Sequence, residues 1–257
     1  MGYSGPIRNR CQFSFKFNSS TPIIQSMKTV VVIPAYDAAG SLPDLLAKIR
    51  CEIENIVVID DGSSDKTAVT AVDSGATVIR HSRNRGKGAA LRTGFAYAVE
   101  NGFDSVITID SDGQHDPADI PRFGQAFIES HADMIIGSRV GDRGLMPWPR
   151  RFSNWSTSRF LSLILRRPIE DCQCGYRLIS IKLLKSIALE SDKFELESEM
   201  IIRAIRGGFN VEFIPIRGVY VKNAPSHMRP LADTLRWCSM VLKMLTIIAL
   251  QRLGFRG

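Results

Sequence analysis

From Thr29 onward the chain alternates short apolar runs with amphipathic stretches, and no other feature constrains its fold as strongly. TVVVI at 29–33, NIVVI at 55–59, a short run at 77–79, SVITI at 105–109 and ADMIIG at 132–137 read as strands. Between them, Leu42, Leu45, Leu46 and Ile49 share one helical face, and Ala90, Leu91, Gly94, Phe95 and Ala98 share another. Further helices are expected over 65–74 and 117–130. Ser41 stands at a helix-cap position, with Pro43 in the first turn and Asp44 at capping-box spacing. Strands alternating with helices imply an α/β fold whose mostly parallel sheet is covered on both faces. In such sheets ligands bind beyond the carboxyl ends of the strands.

The unusual residues stand at those ends. Pro34, Ala35, Tyr36 and Asp37 follow the first strand, Asp60-Asp61-Gly-Ser-Ser the second, the basic loop 83–88 the third, and Asp110-Ser-Asp112 the fourth. Asp110 and Asp112 are two residues apart, so a continuing extended backbone would point both carboxylates to one side. Two adjacent carboxylates repel unless a positive charge lies between them, and a hard divalent cation with oxygen ligands meets that need. Gln114 adds a neutral oxygen at the same period. A plain polar turn explains the Asp-x-Asp equally well, and Asp116, ahead of Pro117, reads as the cap of the next helix. In the second loop Ser63 or Ser64 reads as a helix cap, which leaves one of the two acids to accept from a ribose or base. The loop Arg83-Asn-Arg-Gly-Lys87-Gly opens a helix, where free N–H groups and the dipole favour a phosphate. It is neither a Walker loop nor a dinucleotide fingerprint, since Gly88 follows Lys87 and Leu91 replaces the third glycine.

A net charge of +7 on 257 residues suggests an anionic partner. No aromatic residue lies between Arg80 and Arg92, so the basic loop offers bases nothing to stack on and nucleic acid is not expected. Five scattered cysteines support neither a disulfide framework nor a four-cysteine zinc site, and Cys172-Gln-Cys174 reads as a loop feature. Residues 1–27 read as a disordered arm with no apolar run long enough for a signal peptide, and Met27 offers an alternative start.

Taken in order, VVIPAYDAAGSLPDLL, VVIDDGSSDKT, RNRGKGAALRTGF, IDSDGQHDP, IIGSR and DCQCGYRLIS resemble a family 2 glycosyltransferase, and more narrowly the dolichyl-phosphate mannose and polyprenyl-phosphate glucose synthases. The resemblance runs from about Thr29 to Arg229 and implies a Rossmann-like GT-A domain over 28–230. It implies inverting transfer of a hexose from a nucleotide sugar, of the GDP-mannose or UDP-glucose type, to a polyprenyl phosphate. By position, Pro34, Ala35, Tyr36, Asp37, Asp61, Lys87 and Asp110 would face the nucleotide. Asp110, Asp112 and Gln114 would hold Mg²⁺ or Mn²⁺. Arg139 and one of Arg150 and Arg151 would contact phosphates of donor or acceptor, Asp171 is the candidate base with Arg177 nearby, and Arg151, Ser226 and Arg229 would meet the acceptor phosphate. Two departures stand out. Asp37-Ala38 replaces the family's usual Asn-Glu, and His227 follows Ser226 where a lysine is customary.

Over 234–250, Arg236, Ser239, Lys243 and Thr246 recur at helical spacing beside an apolar face of Leu235, Leu242, Leu245 and Ile248. This segment, 231–257, reads either as a helix lying in a membrane interface or as one packed on the domain or on a partner subunit. From Ile201 onward basic residues outnumber Glu212 and Asp233, which favours anionic headgroups and a peripheral location on the cytoplasmic face of the membrane. A membrane subunit or a second copy of the chain is left open as partner. The competing readings are a glycosyltransferase acting on a soluble or glycan acceptor in cell-envelope polysaccharide synthesis, and a non-catalytic basic binding module.

Overall fold

A computed structural model describes residues 27–142, 148–218 and 230–252. The order of strands and helices is β1 (Thr29–Ala35), α1 (Leu42–Arg50), β2 (Ile56–Asp60), α2 (Thr67–Asp73), β3 (Thr77–Arg80), α3 (Lys87–Glu100), β4 (Ser105–Thr108), α4 (Ile120–Glu129) and β5 (Met134–Ser138). Then come α5 (Trp148–Leu165), β6 (Arg177–Ser180), α6 (Ile181–Ser186), α7 (Leu196–Arg206), β7 (Val211–Pro215) and α8 (Pro230–Arg252).

The strands form one seven-stranded sheet in the order β3-β2-β1-β4-β6-β5-β7. β1, β2 and β4 are buried throughout, as continuous apolar runs covered on both faces should be. The helix expected over 117–130 divides, because Pro117 opens a short 3-10 turn at Pro117–Asp119 before α4 begins. Asp116 caps that turn as expected, its carboxylate accepting from Ala118 N at 3.1 Å.

One strand runs against the rest. β6 lies antiparallel between β4 and β5, with Arg177 opposite Thr108 and Ser180 opposite Ser105. The entrance to β6 therefore meets the exit of β4, so residues 171–176, which precede a strand, arrive at the same sheet edge as residues that follow strands.

The C-terminal helix α8 packs Met240, Val241 and Met244 inward, and Trp237 donates from Nε1 to Ser198 Oγ at 3.0 Å. Lys243 pairs with Glu190. Leu235 and Leu242 point outward from the opposite side, so the apolar positions grouped from the sequence are divided between two faces. The Ile248 side chain, like Ser226, Arg229 and residues 1–26, lies outside what the structure describes. Among the described residues, no helix is long and apolar enough to cross a membrane.

Candidate active site at the carboxyl edge of the sheet

Pro34 and Ala35 complete β1 and are buried, Tyr36 is half-buried, and Asp37 is exposed with a φ of 49°. That left-handed backbone is uncommon outside glycine but tolerated by aspartate, whose short side chain bonds locally. Asp37 Oδ1 accepts from Ser64 N at 2.8 Å, while Asp37 N donates to Ser63 Oγ at 2.9 Å. The first loop is thus clamped to the second. Ser63 is used here and caps no helix; α2 starts later, at Thr67, with Asp65 accepting from the Thr67 N–H at 2.9 Å. Ser41 also departs from its expected capping role. Its hydroxyl donates to Ser111 O at 2.6 Å and ties the start of α1 to the aspartate loop.

Asp60 accepts from Ser63 N at 2.9 Å and pairs with Arg80 at 3.1 Å. Asp61, only 3% exposed, accepts from Arg85 N at 2.9 Å, Gly86 N at 2.7 Å and the His81 ring at 2.7 Å. It sits beneath the basic loop. The anion expected at the start of α3 is therefore supplied by the protein itself, because Asp61 already occupies N–H groups that would have faced a phosphate. His81, which also meets Thr93 Oγ1 at 2.9 Å, carried no sequence signal beyond its place after a strand. Gly86, with φ 107°, lets the Asp192 carbonyl lie against the loop, where a Cβ would approach that oxygen to 2.4 Å.

Lys87 turns away from the loop surface. Its Nζ lies 2.6 Å from Asp110 Oδ1 and 2.6 Å from Glu197 Oε1 of α7, a partner the sequence did not reveal. His115, buried against the Tyr176 ring, brings Nε2 to 3.5 Å from the other Asp110 oxygen. Burial alone would raise the Asp110 carboxyl, but attraction to Lys87 and His115 outweighs it and holds the group well below the usual carboxylate range. Burial would likewise lower the Lys87 ammonium, yet Asp110 and Glu197 hold it well above its ordinary value.

β4 ends at Thr108, and Ser111 and Asp112 form a turn, so the extended geometry expected to align the two carboxylates does not continue. Asp112 stays exposed and accepts from Gln114 N at 3.0 Å; Gln114 is half-buried beside it. Gly175, from the loop before β6, abuts Asp110 from the opposite side. A methyl group there would lie 2.6 Å from Asp110 Oδ2, and Thr108 Oγ1 fixes the Gly175 carbonyl at 2.6 Å. Gly175→Ala is expected to cost about 1–3 kcal/mol in stability by overpacking and to weaken retention of divalent cation and nucleotide. Thermal melting alongside equilibrium dialysis checks both; unchanged retention would show that Asp110 needs no such seat.

Asp171 is fully buried and accepts a two-point ion pair from Arg139, Nε to Oδ2 at 2.8 Å and Nη2 to Oδ1 at 2.9 Å. Burial raises its carboxyl, but Arg139 outweighs this and holds it below the ordinary value. The partner of Asp171 is thus Arg139. Arg177, 1% exposed, spends its guanidinium on the carbonyls of Cys174, Cys172 and Glu197 at 2.8, 3.1 and 2.7 Å, and so braces the loop from within. The Cys172 and Cys174 thiols are buried, and burial pushes that of Cys174 up to about 12.

Beside Arg139 lies a groove of about 810 Å³ lined by Trp148, Arg151, Phe152, Trp155, Arg159, Ile169 and their neighbours. Trp148, Phe152 and Trp155 are exposed at helical spacing on α5, with Trp148 stacked on Phe152 at 5.6 Å. Arg150, on the same turn as Arg151, is half-buried.

Among the described residues no three His, Cys, Asp or Glu side chains cluster as a self-sufficient metal site. What is present fits a different arrangement. Asp110 and Asp112 offer hard oxygen donors, Lys87 already places a cation against Asp110, and Gly175 leaves room that any Cβ would fill. Mg²⁺ is commonly held this way, by one or two carboxylates together with substrate phosphates.

The family model described as Glycosyl transferase family 2 matches residues 30–188. An undecaprenyl-phosphate mannosyltransferase of Micrococcus luteus is 31% identical over 203 residues, covering 74% of this chain and 83% of its own. A polyprenol monophosphomannose synthase of Mycolicibacterium smegmatis is 30% identical over 205 residues, covering 74% and 77%. Among solved structures, glucosyl-3-phosphoglycerate synthase of Mycobacterium tuberculosis with Mn²⁺ and UDP-glucose superposes with a TM-score of 0.66 at 20% identity, over 94% of this chain and 86% of that one. The same synthase with Mg²⁺ and UDP gives 0.67 over 95% and 87%. The sheet is thus that of the GT-A fold, and with the family model spanning the edge just described, the chain belongs to glycosyltransferase family 2.

Proposed function

We propose that this enzyme transfers a hexose, with inversion, from a nucleoside-diphosphate sugar to a polyprenyl phosphate at a membrane surface. The observation that carries the choice of acceptor is the groove beside Arg139. Its arginines suit a phosphate, and its tryptophans, Phe152 and Ile169 suit the first units of an apolar chain. Relatives named for undecaprenyl and polyprenol phosphate point the same way.

The donor lies across the sheet edge from this groove. Pro34, Ala35, Tyr36 and Asp37 would border the nucleoside, with Asp61 shaping the loop beneath, and Asp110 and Asp112 with Gln114 would hold the cation. When bound, Mg²⁺ or Mn²⁺ neutralises charge on the leaving diphosphate. Arg139, oriented by Asp171, aligns the acceptor phosphate, with Arg151 of α5, Arg150, Ser226 and Arg229 as further phosphate contacts. A phosphate monoester is already anionic near neutral pH and needs little deprotonation. Asp171 is therefore a positioning residue for Arg139, consistent with its complete burial, and Arg177 positions the loop that carries it.

α5 and α8 touch through the edge contact of Phe160 with Trp237 at 5.7 Å, and each also leaves apolar side chains exposed, Trp148, Phe152 and Trp155 on α5 and Leu235 and Leu242 on α8. Aromatic and leucine side chains accompanied by Arg151, Arg159 and Arg236 suit an interface with anionic lipid, which supports the reading of a peripheral enzyme on the cytoplasmic face.

Radiolabelled UDP-glucose and GDP-mannose are offered in turn with Mn²⁺ and detergent-dispersed undecaprenyl or dolichyl phosphate, and in a parallel arm with phosphoglyceric acid. Label is expected in the organic phase with one donor. Label found only on the water-soluble acceptor would overturn the lipid reading.

A further inference from the structure

Lys87 is shared by two carboxylates from separate parts of the fold. Asp110 follows β4 and Glu197 lies in the first turn of α7, each 2.6 Å from the ammonium. Glu197 is a fixed partner. Its own carbonyl accepts from Arg177 at 2.7 Å, the neighbouring Ser198 hydroxyl accepts from Trp237, and the Phe194 ring lies 5.7 Å from the Lys87 nitrogen. Asp110 is fixed as well, between Gly175 and His115. The ammonium is thus the movable charge of the three, at the end of a flexible four-carbon stem.

A divalent cation arriving at Asp110 meets a like charge already there. With no second carboxylate, Lys87 would either block the cation or be left as an unpaired, largely buried ammonium, and both outcomes are unfavourable. Glu197 removes that conflict. We propose that Glu197 is a positioning residue that takes Lys87 from Asp110 when a divalent cation enters with a nucleoside diphosphate, freeing Asp110 as a ligand while keeping the lysine paired. This rests on the reading of Asp110 and Asp112 as metal ligands.

The test is Mn²⁺ retention by equilibrium dialysis, with saturating UDP and separately GDP on both sides of the membrane. Glu197→Gln keeps the shape of the side chain and the backbone contact to Arg177. It commits Lys87 to Asp110 and is expected to weaken retention roughly tenfold, the effect of redistributing one charge-assisted hydrogen bond. Lys87→Met removes the competing charge and is expected to tighten retention. The Lys87→Met/Glu197→Gln double variant should match Lys87→Met alone, since Glu197 then has nothing to hold. A loss that persists in the Lys87→Met background assigns Glu197 a merely structural role and overturns the proposal, as does weakened retention in Lys87→Met itself. Wild-type protein that retains Mn²⁺ while Glu197→Gln matches it overturns this inference alone. Wild-type protein that retains none overturns the metal reading and this inference with it.

Discussion

Asp112→Ala is expected to lower kcat/KM on the order of 10³-fold, about 4 kcal/mol of transition-state stabilisation, while leaving the melting temperature almost unchanged. The two halves of that result come from different facts. Asp112 is exposed, and its one described hydrogen bond goes to Gln114 N within its own turn, so its removal should alter stability by no more than about 0.5 kcal/mol. Its place next to Asp110 is what makes it costly for transfer under the proposed reading, in which the two carboxylates together would hold the divalent cation that stabilises a leaving diphosphate. A melting curve beside a steady-state assay checks both. Activity that survives the substitution removes Asp112 from the site.

Asp171→Asn has the opposite signature, since it should harm the fold as well as the reaction. The carboxylate is fully buried and its partner Arg139 is half-buried, with 16% of its side chain exposed, and breaking such a pair from the buried side costs about 3 kcal/mol. For a domain of this size that is a fall of roughly 6–12 °C in melting temperature. Its pH dependence follows from the direction of the shift. The folded carboxyl is held below its unfolded value of about 4, so the pair stabilises the native state above that pH. That stability is lost as pH falls from about 4 toward the folded value, where the neutral acid no longer attracts Arg139. The gap in stability between wild type and Asp171→Asn should therefore be full at neutral pH and narrow on acidification below about 4. Denaturant unfolding across pH 3–7 measures it. A gap that is constant with pH would mean that Asp171 acts through packing and not through charge. On the catalytic side, a loss expressed mainly in KM for the acceptor fits a misaligned Arg139, whereas a shifted pH–rate profile would restore Asp171 as a base.

The parallel half of the sheet was readable because β1, β2, β4 and β5 are fully buried and so appear as unbroken apolar runs. β6 was not, because Arg177 opens it; only a strand whose neighbours supply three carbonyls can bury a guanidinium there. α5 was hidden for a related reason. It turns Asn154, Ser158 and Leu161 inward and leaves Trp148, Phe152 and Trp155 outside, which reverses the usual amphipathic pattern. Motif order located the acids correctly at the sheet edge, but it could not separate their duties. Asp116 was legible as a cap from the Pro117 behind it, but Asp61, which anchors a loop through two N–H groups and His81, and Asp110, which binds Lys87, were simply aspartates after strands. Those differences depend on partners distant in sequence, such as Glu197, which no local pattern announces.

The position of β6 also bears on the order in which the protein is made. When β5 leaves the ribosome, β1 to β4 can already pair, but β5 has no neighbour in that sheet, because its only connection to β4 runs through a strand roughly 40 residues further on. β5 must wait, tethered, until β6 is synthesised and slots between it and β4. The nascent chain therefore carries the loops after β1 to β4 before Gly175 and Glu197, their later partners, exist, and Asp171 joins Arg139 only as that insertion occurs. A truncated chain ending before residue 177 would expose an open edge at β4 and carry no assembled site, so a ribosome stalled there yields an aggregation-prone fragment and not a partly active enzyme.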